Sequence, residues 1–186
     1  MRAAANEPEK QSVEARLRKQ QRKVLELLDA SGAQLHRLLA RLTLREDIVG
    51  DLLQELFIRL SESSAFDKAA DPVAYACRAA INLAFEWRRK QKPGLQLTQQ
   101  DCLTTGNRSS PLGEAIAAEE LERVLDATSQ LSDLAREVIV LRYIEQHSYE
   151  EIAARLGKKP QHMRSLCAKA TARLRKLLKS ESDKLA

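Results

Sequence analysis

Apolar residues recur at spacings of three and four along most of the chain, and strict alternation is rare, so the pattern predicts helices almost throughout. It is sharpest over 148–178, SYEEIAARLGKKPQHMRSLCAKATARLRKLL. Ser148 with Glu151 three residues on is a capping box: the hydroxyl can accept from the Glu151 amide while the carboxylate reaches back to the Ser148 amide. Ile152, Ala153 and Leu156 give a short helix its stripe, and Gly157 supplies the left-handed conformation that ends helices. Pro160 suits the first turn of a second helix. Met163, Leu166, Cys167, Ala170, Leu174, Leu177 and Leu178 line its inner face. Gln161, His162, Arg164, Ser165, Lys169 and Arg173 occupy the outer one. A short helix, a glycine turn and a longer helix with a basic front match a helix-turn-helix, whose second helix enters the major groove.

Upstream, residues 1–16 are polar and mixed in charge, and read as a frayed lead-in. From Leu17 the pattern runs through Val24, Leu27 and Leu28 to Ser31-Gly32, expected to kink or interrupt the helix, and resumes with Leu35, Leu38, Leu39 and Leu42. A further segment, EDIVGDLLQELFIRL, turns Val49, Leu52, Leu53, Leu56 and Leu60 inward and collects Asp47, Asp51, Gln54 and Glu55 on the other face. Asp71-Pro72 then reads as an N-cap and first-turn proline. Val73, Ala76, Cys77, Ala80, Leu83, Ala84 and Trp87 form a core stripe, opposed by Arg78, Asn82, Phe85, Glu86 and Arg89, and the helix runs into Arg88, Arg89, Lys90 and Lys92. Pro93-Gly94 stops it. Residues 93–113 lack a sustained period and are rich in Gln, Thr, Ser and Gly, the composition of a flexible linker. Helical pattern returns at Glu114, passes Leu121, Val124 and Leu125, restarts after Leu131-Ser132 and leads into the helix-turn-helix.

The 186 residues can hold one sizeable domain or two small ones, and a composition of 44% apolar, 31% charged and only 4% aromatic residues with 6 glycines favours an all-helical architecture. Residues 158–186 hold nine Lys or Arg against two Asp or Glu, a net of +7, although the whole chain carries only +5. A basic excess confined to one end is what phosphate neutralisation requires and solubility does not. No apolar run approaches membrane-spanning length, and the opening MRAAANEPEK turns polar before a signal-peptide core could form, so a cytosolic protein without membrane insertion is expected. Cys77, Cys102 and Cys167 lie far apart with no CxxC, which indicates neither a zinc site nor a disulfide framework. Cys77 and Cys167 fall on apolar faces, and Cys102 sits in the polar stretch as a free thiol. There is no glycine-rich phosphate loop and no nucleophile with a base, so no cofactor and no catalytic activity are expected.

DLLQELFIRL followed by DPVAYACRAAINLAFEWRRKQK resembles the second conserved region of bacterial sigma factors, and LSDLAREVIVLRYIEQHSYEEIAARLGKKPQHMRSLCAKATARLRKLL resembles their fourth. The short length, with no third domain between, resembles the extracytoplasmic-function group. The resemblance implies an all-α fold of two domains, 17–92 and 114–180, joined by the linker 93–113 and followed by a short tail, 181–186. It implies core RNA polymerase, promoter DNA and an anti-sigma factor as partners. Asp51, Gln54 and Glu55 then correspond to the face that docks on the polymerase clamp. Arg78, Asn82, Arg88 and Arg89 correspond to the minus-ten reading helix, with the loop SESSAFDKAAD lining a pocket for an unstacked base. Glu86 stands where the family usually has Asp, and Leu166 where it often has Arg.

Gln161, His162, Arg164, Ser165, Lys169 and Arg173 correspond to the minus-thirty-five reader, where Arg164 suits guanine and Gln161 adenine. Two rivals stand beside this reading. A stand-alone regulator of operator DNA uses only the last two helices, and an adaptor working through protein contacts treats the basic end as incidental. Addition of the protein to core polymerase and promoter DNA separates all three.

Overall fold

The structure, a computed structural model, describes the backbone of residues 7–91 and 111–185 and the side chains over 17–91 and 116–180. Helix α1 runs over Glu7–Thr43, α2 over Val49–Glu62, α3 over Ser64–Asp67 and α4 over Pro72–Gln91. After the undescribed stretch come α5 over Pro111–Ser129, α6 over Asp133–Ile139, a π-helical turn over Val140–Ile144, α7 over Tyr149–Leu156 and α8 over Pro160–Leu185. No strand occurs among the described residues. The linker expected over 93–113 falls outside them apart from its last three residues, which open α5 and start that helix earlier than Glu114.

The expected interruption at Ser31-Gly32 does not occur: α1 passes through it unbroken. Val24, Leu27, Leu35, Leu38, Leu39 and Leu42 keep one helical register on both sides of the glycine, and all are buried. Continuing that stripe against α2 and α4 outweighs the helix cost of one glycine, about 1 kcal/mol, because each buried leucine contributes about 2 kcal/mol. Helix α1 already begins at Glu7, ten residues before the apolar pattern starts at Leu17. The chain leaves α1 through Leu44, whose φ of 57° is unusual for a residue with a side chain. Leu44 packs against the core, so the position needs an apolar side chain that glycine would not provide.

Ala76, Ala80 and Ala84 sit one turn apart on α4 and are fully buried, which lets this helix lie close along α1. Its start is the expected one, with the Asp71 carboxylate accepting from the Ala74 amide at 2.9 Å. The turn between α2 and α4 is held from three directions. The Gln20 amide on α1 donates to the carbonyls of Leu60 and Ser63 at 2.9 and 2.7 Å, and Lys23 donates to the Asp67 carbonyl at 2.8 Å. The Ser63 hydroxyl caps α3 at the Phe66 amide and lies 2.9 Å from the Tyr75 hydroxyl. Phe66 is 0% exposed, tilted against the Tyr75 ring.

A second core gathers Ala127 and Leu131, the inner faces of α6 and α7, and Met163, Cys167, Ala170 and Leu174 of α8. The two cores are not separate bodies, because Leu125 of α5 and Val140 of the π-helical turn pack into the first. In that turn the Glu145 amide reaches the Val140 carbonyl at 3.0 Å, one residue further than an α-helix would, and the chain leaves through Gln146 at φ 60°.

Phe66→Ala should cost about 3–5 kcal/mol of unfolding free energy, read from urea midpoints, because a ring packed on all sides leaves a cavity. A loss under about 1 kcal/mol would show that the turn relaxes around the deletion. A second prediction concerns Glu151, whose carboxyl is held below its ordinary value of 4.5 by the Ser148 amide, which donates to it at 2.7 Å, and by the Ser148 hydroxyl. A depressed carboxyl stabilises the fold above its unfolded pKa, and that contribution is lost as pH falls through the folded one. Glu151→Gln should therefore lose less thermal midpoint than the parent on acidification from about pH 5 to about pH 3; identical slopes would contradict the assignment.

Candidate nucleic-acid interface

The capping box at the head of α7 forms in full, and Gly157 closes the helix at φ 62°. Lys158 donates to Ala153 at 2.9 Å and Gly157 to Ala154 at 3.4 Å, the paired bonds of a left-handed helix end. A side chain at 157 would meet no neighbouring atom, so glycine is required there by backbone strain alone. This turn swings α8 across α7 and packs Met163 and Cys167 beneath it. Gln161, His162, Arg164, Ser165, Lys169 and Arg173 are then all exposed, as expected of a groove-reading face. Leu166 is half-buried against the core and gives that face nothing.

Arg164 is not loose on this surface. Its Nη2 donates to Glu150 Oε1 at 2.7 Å, and its guanidinium carbon lies 5.8 Å from the Tyr149 ring centroid. Arg142 covers the same ring at 4.9 Å. Tyr149 and Glu150 open α7 and were not singled out from sequence, because their connection to Arg164 exists only once the two helices cross.

The α4 face departs from expectation. Arg78, Asn82 and Arg88 do not project freely; each meets the second unit, and Arg88 of the three is buried by it. Arg78 Nε donates to Glu137 Oε1 at 2.8 Å. Arg88 is 5% exposed and donates to Asp126 Oδ1 at 2.7 Å and to the Glu122 carbonyl at 3.2 Å. Asn82 Oδ1 lies 3.5 Å from Arg136 Nη1. Phe85, expected on the free side with them, is fully buried in the first core, with the Arg136 guanidinium 5.1 Å from its ring centroid. Trp87, placed in the core stripe, is half-exposed at its edge. Arg89 is exposed, and Arg78 keeps 42% of its side chain exposed beside its partner. Burial pushes the Glu137 carboxyl above its ordinary value, against the pull of Arg78. Glu86 faces the other way and accepts from Arg59 at 2.8 Å, which holds its carboxyl low.

On α2, Asp51 and Gln54 are exposed and Glu55 is half-buried, its carboxylate accepting from Arg59 at 2.8 Å. Asp47 precedes the helix and pairs with Arg45 instead of joining the patch. Ile58, 48% exposed, shares the face of Asp51, Gln54 and Glu55 by helical spacing. The sequence carried that signal, an apolar residue three, four and seven positions after the acidic ones, but it reads equally as core. An exposed isoleucine ringed by acceptors suits a partner helix with basic and aliphatic side chains.

Cys77 and Cys167 are buried, and burial raises the Cys77 thiol to about 11. Cys102 lies outside the described residues. Among the described residues no group of three or more His, Cys, Asp or Glu is placed to hold a metal ion, and no helix is long and apolar enough to cross a membrane.

The sigma-70 region 2 family matches residues 27–93, and the sigma-70 region 4 family matches residues 121–174. An RNA polymerase sigma-E factor of Streptomyces antibioticus is 34% identical over 135 residues, 70% of each chain. That of Streptomyces coelicolor is 35% identical over 133 residues, 69% of this chain and 70% of its own. Among solved structures, CnrH in complex with the cytosolic domain of CnrY aligns with a TM-score of 0.48 at 24% identity, over 89% of this chain and 94% of that one. The sigma factor RpoE in complex with the anti-sigma factor NepR from Bartonella quintana aligns with a TM-score of 0.47 at 21% identity, over 84% and 97%. With both regions matched in order and such relatives spanning most of its length, the chain belongs to the sigma-70 family of RNA polymerase sigma factors, in the extracytoplasmic-function group.

Proposed function

We propose that this sigma factor, which directs core RNA polymerase to promoters, divides its work among three helix faces. The α2 face of Asp51, Gln54, Glu55 and Ile58 docks on a basic helical element of the polymerase. The α4 face of Arg78, Asn82, Arg88 and Arg89 holds the minus-ten strand, cations on phosphates and the amide on a base edge. The outer face of α8, with Gln161, His162, Arg164, Ser165, Lys169 and Arg173, reads the minus-thirty-five element in the major groove. The observation that carries this reading is the helix-turn-helix itself, with all six of those side chains exposed on one face of α8. A stand-alone operator binder would use α8 and leave the acidic α2 face without a task. Each step is binding and positioning, with no bond chemistry assigned to the chain. An anti-sigma factor, the partner seen with the RpoE relative, is the expected restraint on both DNA-reading faces.

The test is addition of the purified protein to core polymerase and promoter DNA, read as transcription from a defined start. Operator binding without polymerase would favour the stand-alone regulator. Asp51→Lys with Glu55→Lys should abolish polymerase binding while minus-thirty-five binding survives; an unchanged polymerase affinity would remove the docking assignment. Arg164→Ala should cost about 1–3 kcal/mol at the minus-thirty-five element and relax preference at one base pair. A uniform loss on every sequence would reduce Arg164 to a phosphate contact.

A further inference from the structure

The least expected feature of the fold is where α5 and α6 put their carboxylates. Two helices from the far side of the linker meet α4 on the face that the proposed function gives to the minus-ten strand. They do so with the chemistry a nucleic acid would use. Asp126 sits on Arg88 at 2.7 Å and Glu137 on Arg78 at 2.8 Å, each an anionic oxygen on a guanidinium as a phosphate would be. Arg136 reaches the Asn82 side-chain oxygen and stacks on Phe85, covering the strip between the two cations. A third ion pair lies at the edge of the same contact, where Arg41 of α1 meets Glu145 at 3.8 Å and the Ile144 carbonyl at 3.2 Å.

We propose that α5 and α6 are a built-in occupant of the minus-ten face, with Asp126 and Glu137 standing in for strand phosphates until single-stranded DNA displaces them. This deepens the minus-ten reading and rests on it. The composition of the contact suits exchange. Few apolar side chains cross it: Leu125 and Val140 enter the first core and Ile144 packs against it. Ion pairs make up much of the rest, one with Arg78 half-exposed and one with Arg88 buried, and neither kind gives much net stability over separated, hydrated partners. Losing a pair is costly only when a buried charge is left alone, and an arriving phosphate leaves neither Arg78 nor Arg88 alone. Closed and open arrangements are therefore close in free energy. A chain closed nine times in ten would bind the strand about tenfold more weakly than its open form does.

The test compares the full-length chain with a variant carrying Asp126→Asn and Glu137→Gln, which keep side-chain size and remove both charges. A labelled twelve-residue oligothymidylate serves as the single-stranded probe, and small-angle scattering reports compactness. The variant should be more expanded and bind the probe about tenfold more tightly. Adding Arg78→Ala to it should return the affinity to the parent's level. An expanded variant with unchanged affinity, or a gain that survives Arg78→Ala, overturns the proposal.

The unaltered chain supplies a measurement that needs no substitution on α5 or α6. Probe binding should raise amide exchange over residues 126–139 and lower it over α4; unchanged exchange over 126–139 also overturns the proposal. Arg78→Ala in the otherwise unaltered chain separates the two levels. If it weakens probe binding while the double variant gains nothing, only the masking fails. If it changes binding in neither background, the minus-ten reading of α4 falls together with the masking.

Discussion

A guanidinium withdrawn from water needs hydrogen-bond acceptors around it, and the two arginines buried where the helical units meet find theirs in different ways. Arg136 is 2% exposed, yet its Nη2 reaches the Leu131 carbonyl at 3.0 Å and its Nη1 the Asp133 carboxylate at 3.2 Å, with the Phe85 ring beneath. Arg88 donates from Nη2 to Asp126 and to the Glu122 carbonyl, while its buried Nε finds no acceptor. Asp126 and Glu122 reach Arg88 across the contact between α4 and α5–α6, whereas Arg136 takes its closest acceptors from its own unit and meets the Phe85 ring, and Asn82 Oδ1 at 3.5 Å, from the other. The burial of Arg88 therefore depends on how the second unit sits on the first. The same contact sends Leu125 of α5 into a core built mainly from α1 to α4.

The interior of each unit obeys a different constraint. α1, α2 and α4 bury continuous apolar stripes, and Ala76, Ala80 and Ala84 let α4 approach α1 closely. Such packing tolerates little variation and suits a scaffold. The turn around α3 is held by polar contacts, since Gln20 and Lys23 of α1 and Tyr75 of α4 grip it from outside and Ser63 caps it from within. The contact between the units is dominated by charge, and charged contacts can trade partners where apolar ones cannot. A protein that must present two DNA-reading faces has its stiffness inside the units and its exchangeable bonds between them.

The α8 face shows the same economy on a smaller scale. Its six polar side chains face solvent, while Glu150 and Tyr149 of α7 hold Arg164 in place. A long side chain otherwise samples many rotamers, and ordering it before contact lowers the entropy lost on binding. Tyr149 engages Arg142 as well, which connects the reading face to the π-helical turn.

Local chemistry made much of this legible before any coordinates. Ser148, Glu151, Gly157 and Pro160 determined the helix-turn-helix because capping, a left-handed residue and a fixed φ act within a few positions of the chain. The stripes of α2, α4 and α8 were equally readable, and with them the outward faces of Asp51, Gln54 and Arg164. Ser31-Gly32 misled because local propensity suggests a break, whereas the leucines on either side are buried as one continuous row. Arg78, Arg88 and Phe85 misled for a related reason: helical spacing says which side chains share a face, but not what will lie against it. Asp126, Arg136 and Glu137 sit some 38 to 59 positions from their partners on α4, and only the folded chain brings them together. The sequence by itself therefore determined the helices and their faces, which depend on neighbours three and four residues away. Tertiary structure alone decided which face would be covered, because pairing distant charges depends on where whole helices come to rest.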